Sequence, residues 1–136
     1  MLVKQLIDSI QAKKYFVGGA STEEINAFAT KYNVTLPEDY IEFLREFGAG
    51  SLRGVEIYGL GCRDFGIPSV EFILSTEQFP KGFIPVESED NGFFRGIACA
   101  MPGIPYGSIV TLCPTEDNAP IHIADSFLDF LKMRLE

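Results

Sequence analysis

The residues best suited to nucleophilic chemistry are the single histidine, His122, and three cysteines, Cys62, Cys99 and Cys113. A catalytic Cys–His pair needs a third group to orient the imidazole, and Asp125 follows His122 closely enough to do so. No cluster of basic residues flanks the cysteines to lower a thiol pKa. We therefore predict that the chain is not an enzyme, with the cysteines in the core and His122 at a strand end. A small hydrolase using Cys99 or Cys113 with His122 is the alternative.

The sequence lacks the common motifs that bind metal ions or phosphate groups. The cysteines lack the CxxC spacing of zinc sites, and their odd number does not suit a disulfide framework. Residues 87–92 are acidic but lack the spacing and the distal glutamate of an EF-hand. Walker A and GxGxxG motifs are absent from the sequence. We expect no metal, no cofactor, and free thiols in a reducing compartment.

Two surface segments could bind a partner through an acidic helix face or an exposed loop. Glu38, Glu42 and Glu46 fall on the side of a predicted helix that lies opposite its apolar stripe, although a solvated face explains them as well. Tyr106 lies in the Pro- and Gly-rich loop 101–107. Loops held on a rigid scaffold often carry recognition, so this loop is a further candidate.

A third candidate surface combines acids with aromatic residues. Glu87, Glu89 and Asp90 are followed by Phe93 and Phe94. Acids beside aromatic side chains resemble the rim and the anchors of a protein interface. The alternative is that both phenylalanines begin a buried strand.

Apolar spacing and end signals predict four helices, which cover residues 1–14, 21–33, 37–48 and 125–135. Ser21 and Glu24 form a capping box at the start of the second helix. Pro37 fits the first position of the third helix, and Gly48 fits a left-handed stop. Asp125 or Ser126 caps the last helix.

Segments rich in β-branched and aromatic residues predict six strands, at residues 55–58, 70–74, 83–86, 95–100, 108–113 and 120–123. Pro85 places its strand at a sheet edge. Residues 95–100 and 108–113 are predicted to be the most buried strands. Helices, then strands, then a helix indicate an α+β fold with a central, largely antiparallel sheet flanked by helices.

Length and charge bound the function. The 136 residues fit a single domain, residues 1–136. The formal net charge is −8, which disfavours binding to nucleic acid or to anionic membranes and suits a basic protein partner. Acidity that serves solubility alone is the other interpretation. The sequence predicts neither a membrane span nor a signal peptide, so we expect a cytoplasmic protein.

Residues 36–44, Leu-Pro-Glu-Asp-Tyr-Ile-Glu-Phe-Leu, resemble the LP-x-D/E-Y-x-x-F-L signature of the SUKH superfamily. That superfamily includes the fungal Smi/Knr cell-wall regulators and many bacterial immunity proteins. An acidic helix at residues 22–33 precedes the signature, and a Gly-rich turn and strand at residues 48–60 follow it. Residues 123–131 are similar to the terminal SF-x-x-FL helix of the family. The resemblance covers residues 21–135.

The resemblance implies an α+β fold with a central antiparallel sheet and no catalysis. Bacterial members typically bind and block a cognate toxin, often a nuclease, and fungal members act as regulatory interaction modules. Our leading hypothesis is an immunity protein that binds a basic toxin domain, with a regulatory scaffold as the alternative. The acidity agrees independently, because nucleases carry basic substrate clefts. The oligomeric state is left open.

Overall fold

The computed structural model describes residues 2–52, 54–61, 69–117 and 119–136. Within these ranges the helices and strands are, in chain order, α1 (Val3–Ser9), α2 (Thr22–Lys31), α3 (Glu38–Glu46), β1 (Gly50–Leu52), β2 (Val55–Ile57), α4 (Val70–Thr76), β3 (Phe83–Ser88), β4 (Phe94–Ala98), β5 (Ile109–Leu112), β6 (Ile121–Ala124) and α5 (Phe127–Leu135). Short 3-10 turns lie at Lys13–Tyr15 and Asp90–Gly92. The predicted α+β class is confirmed. Among the described residues, no helix is both long and apolar enough to cross a membrane.

The predicted helix ends are largely confirmed. The Glu24 amide donates to Ser21 Oγ at 3.1 Å, and the Ser21 amide donates to Glu24 Oε1 at 3.3 Å, which completes the capping box. Pro37 is the N-cap of α3 rather than its first helical residue. Gly48, with φ of 80°, follows the end of α3 as the expected left-handed stop. Ser126 caps α5 by accepting from the Asp129 amide at 3.0 Å.

The first helix is shorter than the predicted span of residues 1–14. It ends at Ser9, and Gln11 takes a left-handed φ of 54°. The amides of Gln11 and Ala12 then donate to the carbonyls of Asp8 and Ile7, both at 3.1 Å. This is a Schellman ending, in which a glutamine takes the place usually filled by glycine. The apolar spacing continues past Ser9, so the ending could not be read from periodicity.

The predicted strand at residues 70–74 is wrong, because this segment forms helix α4. Ser69 accepts the Phe72 amide at 3.0 Å and so provides an N-cap. Val70 and Ile73 are buried one helical turn apart. A short apolar run rich in branched residues suits a strand or a buried helix, and here the cap and the i, i+3 spacing decide.

The strands form two antiparallel sheets. β1 pairs with β2, and the larger sheet has the order β3-β4-β5-β6. The Tyr58 amide donates to the Val86 carbonyl at 2.8 Å and connects the two sheets just beyond β2. Pro85 lies in β3, at the edge of the four-stranded sheet, as predicted. β4 and β5 are the central strands, and β5 is fully buried as predicted. The prediction that β4 is also among the most buried strands is wrong, because Phe94 and Arg95 are half-buried whereas β3 is buried from Phe83 to Glu87.

The inner face of the four-stranded sheet, defined as the face toward the helices, forms the main core. Ile84, Ile97 and Ile109 are directly paired across β3, β4 and β5, and they contact the core built by the helices. The fully buried side chains that α5 and α3 add to this core include Phe127, Phe130, Tyr40 and Phe43. Tyr40 also donates its hydroxyl to the Tyr58 carbonyl at 3.0 Å. Side chains from the helices therefore pack against this face.

The outer face of the same sheet carries a second, smaller apolar cluster. Its buried members are Phe83, Ala98, Met101, Val110 and Leu112. Phe79 and Ile104, from loops on either side, pack against it but remain half-buried. Gly96 is required here, because a Cβ at this position would overlap the Phe83 ring. The outer face is therefore covered by loops rather than by a layer of helices.

Candidate protein-binding surface

The residues suited to nucleophilic chemistry do not form an activated thiol site in the described part of the chain. Burial raises the pKa of the Cys99 thiol to about 12, so this thiol is protonated at neutral pH. Cys113 is also a free, buried cysteine, with its Sγ 3.3 Å from Thr115 Oγ1. His122 is exposed in β6, where its Nε2 lies 3.0 Å from Asp125 Oδ1. The third cysteine, Cys62, lies outside the described residues.

Metal coordination also finds no site in the structure as described. Within residues 2–52, 54–61, 69–117 and 119–136, no three His, Cys, Asp or Glu side chains are grouped so that they could hold an ion.

The acidic face of α3 is partly used by the fold. Both oxygens of Glu42 accept backbone amides from the start of α1, from Val3 at 3.2 Å and from Lys4 at 3.0 Å. A carboxylate at this position satisfies amides that have no partner within α1 and complements the positive end of the helix. Glu42 therefore docks α1 onto α3. Glu38 and Glu46 remain exposed on either side of it.

Tyr106 lies near the N-terminal end of this helix. It is 55% exposed, and its hydroxyl donates to the Thr35 carbonyl at 2.8 Å. Partial burial raises the pKa of Tyr106, and the nearby carboxylates of Asp39 and Glu38 add to the effect. The structure thus places Tyr106 near the start of α3, although the two are far apart in the sequence.

The predicted acidic loop around Glu87 is wrong as a free surface. Glu87 belongs to β3, and its side chain is 6% exposed. Its Oε1 lies 2.8 Å from Arg95 Nη1, and its Oε2 lies 2.8 Å from Arg134 Nη2. Arg134 comes from α5, so Glu87 ties the end of that helix to the inner face of the sheet. A carboxylate held in this way is part of the fold.

Glu89 belongs to the same arrangement, which we call the Glu87 cluster (Glu87, Glu89, Arg95, Thr111 and Arg134). Glu89 Oε1 accepts Arg95 Nε at 2.6 Å and the Thr111 hydroxyl at 2.8 Å. Burial lowers the pKa of Arg95, but the bonds to Glu87 and Glu89 outweigh this effect, and the net shift is upward. The two acids and two guanidinium groups balance in charge. The side chain of Asp90 is not among those described.

The two phenylalanines of this segment have different surroundings. Phe94 begins β4 and is half-buried, with its ring centroid 5.0 Å from that of Phe79 in an edge-to-face arrangement. It therefore follows the alternative interpretation of a strand residue. Phe93 lies just before the strand and is also half-buried.

A groove that the sequence did not predict lies at the outer face of the sheet. We call it the sheet groove, and it has a volume of about 520 Å3. Its apolar lining includes Phe79, Met101, Ile104, Leu112, Cys113 and Pro120. Glu116 and Asp117 lie at its rim and are exposed. The residues that line it come from three stretches of the chain, at 78–80, at 101–104 and from Leu112 to Pro120, so no single local pattern predicts the whole groove.

The loop 101–107 was the one signal of this groove in the sequence. Its Pro and Gly residues predicted an exposed turn, but Met101 and Ile104 are turned toward the outer face of the sheet. Apolar residues at fixed places in a turn-rich loop suggest packing onto a neighbouring surface. The sequence could not show which surface that was, because Phe79 and Leu112 meet the loop only after folding.

Residues 19–133 match the SMI1 / KNR4 family (SUKH-1). The chain belongs to this family. The match confirms the resemblance carried by residues 36–44, and it leaves α1 outside the matched region. No curated protein sequence matches the chain.

Proposed function

We propose that this SUKH-1 chain is a non-catalytic protein-binding module, and that it acts in the cytoplasm as an immunity protein. In this role it binds a basic toxin domain, such as a nuclease, and blocks access to its active site. The observation that carries the proposal is the family match over residues 19–133. Bacterial members of the superfamily that the signature resembles typically act in this way.

The charge of the chain supports a basic partner. A net charge of −8 speeds association with a positively charged surface and disfavours contact with phosphate backbones. Glu38 and Glu46 are exposed on α3, and Tyr106 donates its hydroxyl to the Thr35 carbonyl just before that helix. We assign these residues to a surface that steers the partner. Glu42, Glu87 and Glu89 contribute to the fold instead.

The surroundings of Cys99 and His122 support a non-catalytic role. A thiol whose pKa is raised by burial to about 12 is a poor nucleophile at neutral pH. His122 pairs with Asp125 on the surface of β6. The contacts of His122 and Cys113 thus lie with Asp125 and Thr115 respectively, rather than with each other.

The test is affinity capture with the full chain from its source cells at low and at moderate salt, with the captured proteins identified by mass spectrometry. The captured protein is then expressed in a host cell with and without this chain. We expect one basic protein whose capture weakens with salt, whose expression arrests growth, and whose toxicity this chain relieves. Capture of a stable endogenous assembly with no protection would instead favour a regulatory scaffold.

The steering surface can be tested separately on the captured partner. Glu38→Lys with Glu46→Lys leaves Glu42 and its two helix-capping bonds in place. We expect the association rate to fall by about tenfold at low salt while the dissociation rate changes little, because exposed charges act mainly on encounter. Equal association rates for the variant and the original chain would remove these residues from the surface.

A further inference from the structure

We propose that the sheet groove is the anchor site for the partner, and that it receives an apolar side chain flanked by Lys or Arg in an exposed segment of that partner. This inference rests on the proposed function. The role of the groove differs from that of the steering surface (Glu38, Glu46 and Tyr106), because a groove can enclose a side chain whereas exposed charges cannot.

The construction of the groove suits an anchor. Met101 and Leu112 line the groove and are buried, and they pack in one apolar cluster with the sheet residues Phe83 and Val110. Phe79 and Ile104 stand at its sides and are half-buried, which leaves apolar surface in contact with solvent. A volume of about 520 Å3 is large enough to take a large apolar side chain. Interfaces gain most of their binding energy where such anchors fill pockets.

Charge complementarity identifies the chemistry of the occupant. Glu116 and Asp117 lie at the rim, and the described residues that line the groove include no Lys or Arg. A basic residue on either side of the anchor would therefore meet carboxylates and no cation. A second copy of this chain is disfavoured as the occupant, because it carries the same charge of −8.

The experiment titrates the full chain with three blocked pentapeptides and observes the methyl resonances of Met101 and Ile104 by NMR. The peptides are Lys-Arg-Phe-Arg-Lys, its counterpart with alanine at the centre, and Glu-Glu-Phe-Glu-Glu. We expect saturable shifts at both methyl groups with the first peptide. The alanine peptide should bind about tenfold more weakly through loss of the anchor, and the acidic peptide about tenfold more weakly through repulsion.

Two double variants separate the local charge of the rim from the total charge of the protein. Glu116→Lys with Asp117→Lys and Glu56→Lys with Glu136→Lys change the net charge equally, and all four residues are exposed. The rim variant should weaken binding of the first peptide by about tenfold, and the control variant by less than about twofold. Unchanged methyl resonances elsewhere in the chain verify that each variant is folded.

Absence of shifts at Met101 and Ile104, or equal weakening by both double variants, would overturn the anchor site. Neither result would affect the proposed function, because the capture and protection experiment does not depend on the groove. Conversely, a groove that binds the peptide in a chain that protects no cell would leave the anchor site in place and overturn the immunity role.

Discussion

The two faces of the four-stranded sheet carry similar residue types in different structural roles. On the inner face, helices close the apolar core, and the Glu87 cluster joins the sheet to the end of α5. On the outer face, loops cover a smaller apolar cluster and leave the sheet groove open beside Glu116 and Asp117. Acids and aromatic residues occur on both faces. Their surroundings, rather than their identity, determine whether they are buried within the fold or exposed at its surface.

The difference explains why the acidic and aromatic segment at residues 87–94 does not form the exposed surface that its composition suggests. Glu87 and Glu89 meet two guanidinium groups, so their charge is neutralised within the chain. Glu116 and Asp117 are exposed beside apolar surface. We expect mutations on the inner face to affect stability and mutations at the groove rim to affect binding.

The largest expected effect is on the inner face. Glu87→Ala leaves Arg95 and Arg134 without their shared carboxylate while both remain partly buried. We expect the free energy of unfolding to fall by about 3 kcal/mol, because breaking a buried ion pair leaves an uncompensated charge. Urea denaturation followed by circular dichroism measures the change.

Asp117→Ala at the groove rim is the matched control for that loss. Asp117 is exposed, so its removal should change the free energy of unfolding by less than about 0.5 kcal/mol. A loss below about 1 kcal/mol for Glu87→Ala would show that solvent screens the Glu87 cluster like an ordinary surface pair. The contrast between the two faces would then fail.

An intermediate effect is expected on the outer face. Phe79 packs its ring against Phe83 at 5.5 Å and against Phe94 at 5.0 Å, yet remains half-buried. Phe79→Ala should lower the free energy of unfolding by about 2 kcal/mol, less than for a fully buried phenylalanine. It should also weaken binding of the Lys-Arg-Phe-Arg-Lys peptide. A loss of about 2 kcal/mol with unchanged peptide binding would show that Phe79 does not contribute to binding in the sheet groove.

The smallest expected effect is a difference in labelling rate between two free thiols. Cys99 contacts the main core, whereas Cys113 lines the sheet groove. In a Cys62→Ser background at pH 8, we expect iodoacetamide to modify Cys113 faster than Cys99. With a pKa of about 12, Cys99 holds about one part in ten thousand of its thiol as thiolate at this pH.

The pH dependence of that reaction follows from the raised pKa. The thiolate fraction of Cys99 should rise about tenfold with each pH unit until the pH approaches 12, and its labelling rate should rise in proportion while the chain stays folded. Peptide mapping by mass spectrometry distinguishes the two sites. Faster labelling of Cys99 than of Cys113 at pH 8 would revive the thiol hydrolase hypothesis.

Local patterns predicted the elements whose signals are complete within one segment. The capping box at Ser21, the stop at Gly48 and the edge position of Pro85 each depend on a few neighbouring residues, and all three are confirmed. Helix α4 was missed because residues 70–74 are too few to show a clear helical period. The left-handed Gln11 was missed because the residue type gives no signal for it.

The candidate site depends on contacts between distant segments, which is why less of it could be predicted. Glu87 was expected to be exposed, but in the folded chain it accepts a hydrogen bond from Arg134 of α5, which is distant in the sequence. Glu42 was expected to face solvent, but it accepts a backbone amide from the start of α1. Contacts between residues that are distant in the sequence form only in the folded chain, so the spacing of neighbouring residues does not predict them.

The claim that the partner binds at the sheet groove rather than at the Glu87 cluster is tested most directly by hydrogen–deuterium exchange. Exchange is measured on the full chain, alone and in complex with the captured basic protein. We predict slower exchange in the complex at residues 101–104 and 112–117, which border the sheet groove, with a smaller change at residues 38–46. Residues 87–89 should exchange equally in both states. Slower exchange at residues 87–89 with no change around the groove would contradict the account, because it would place the partner on the inner-face cluster.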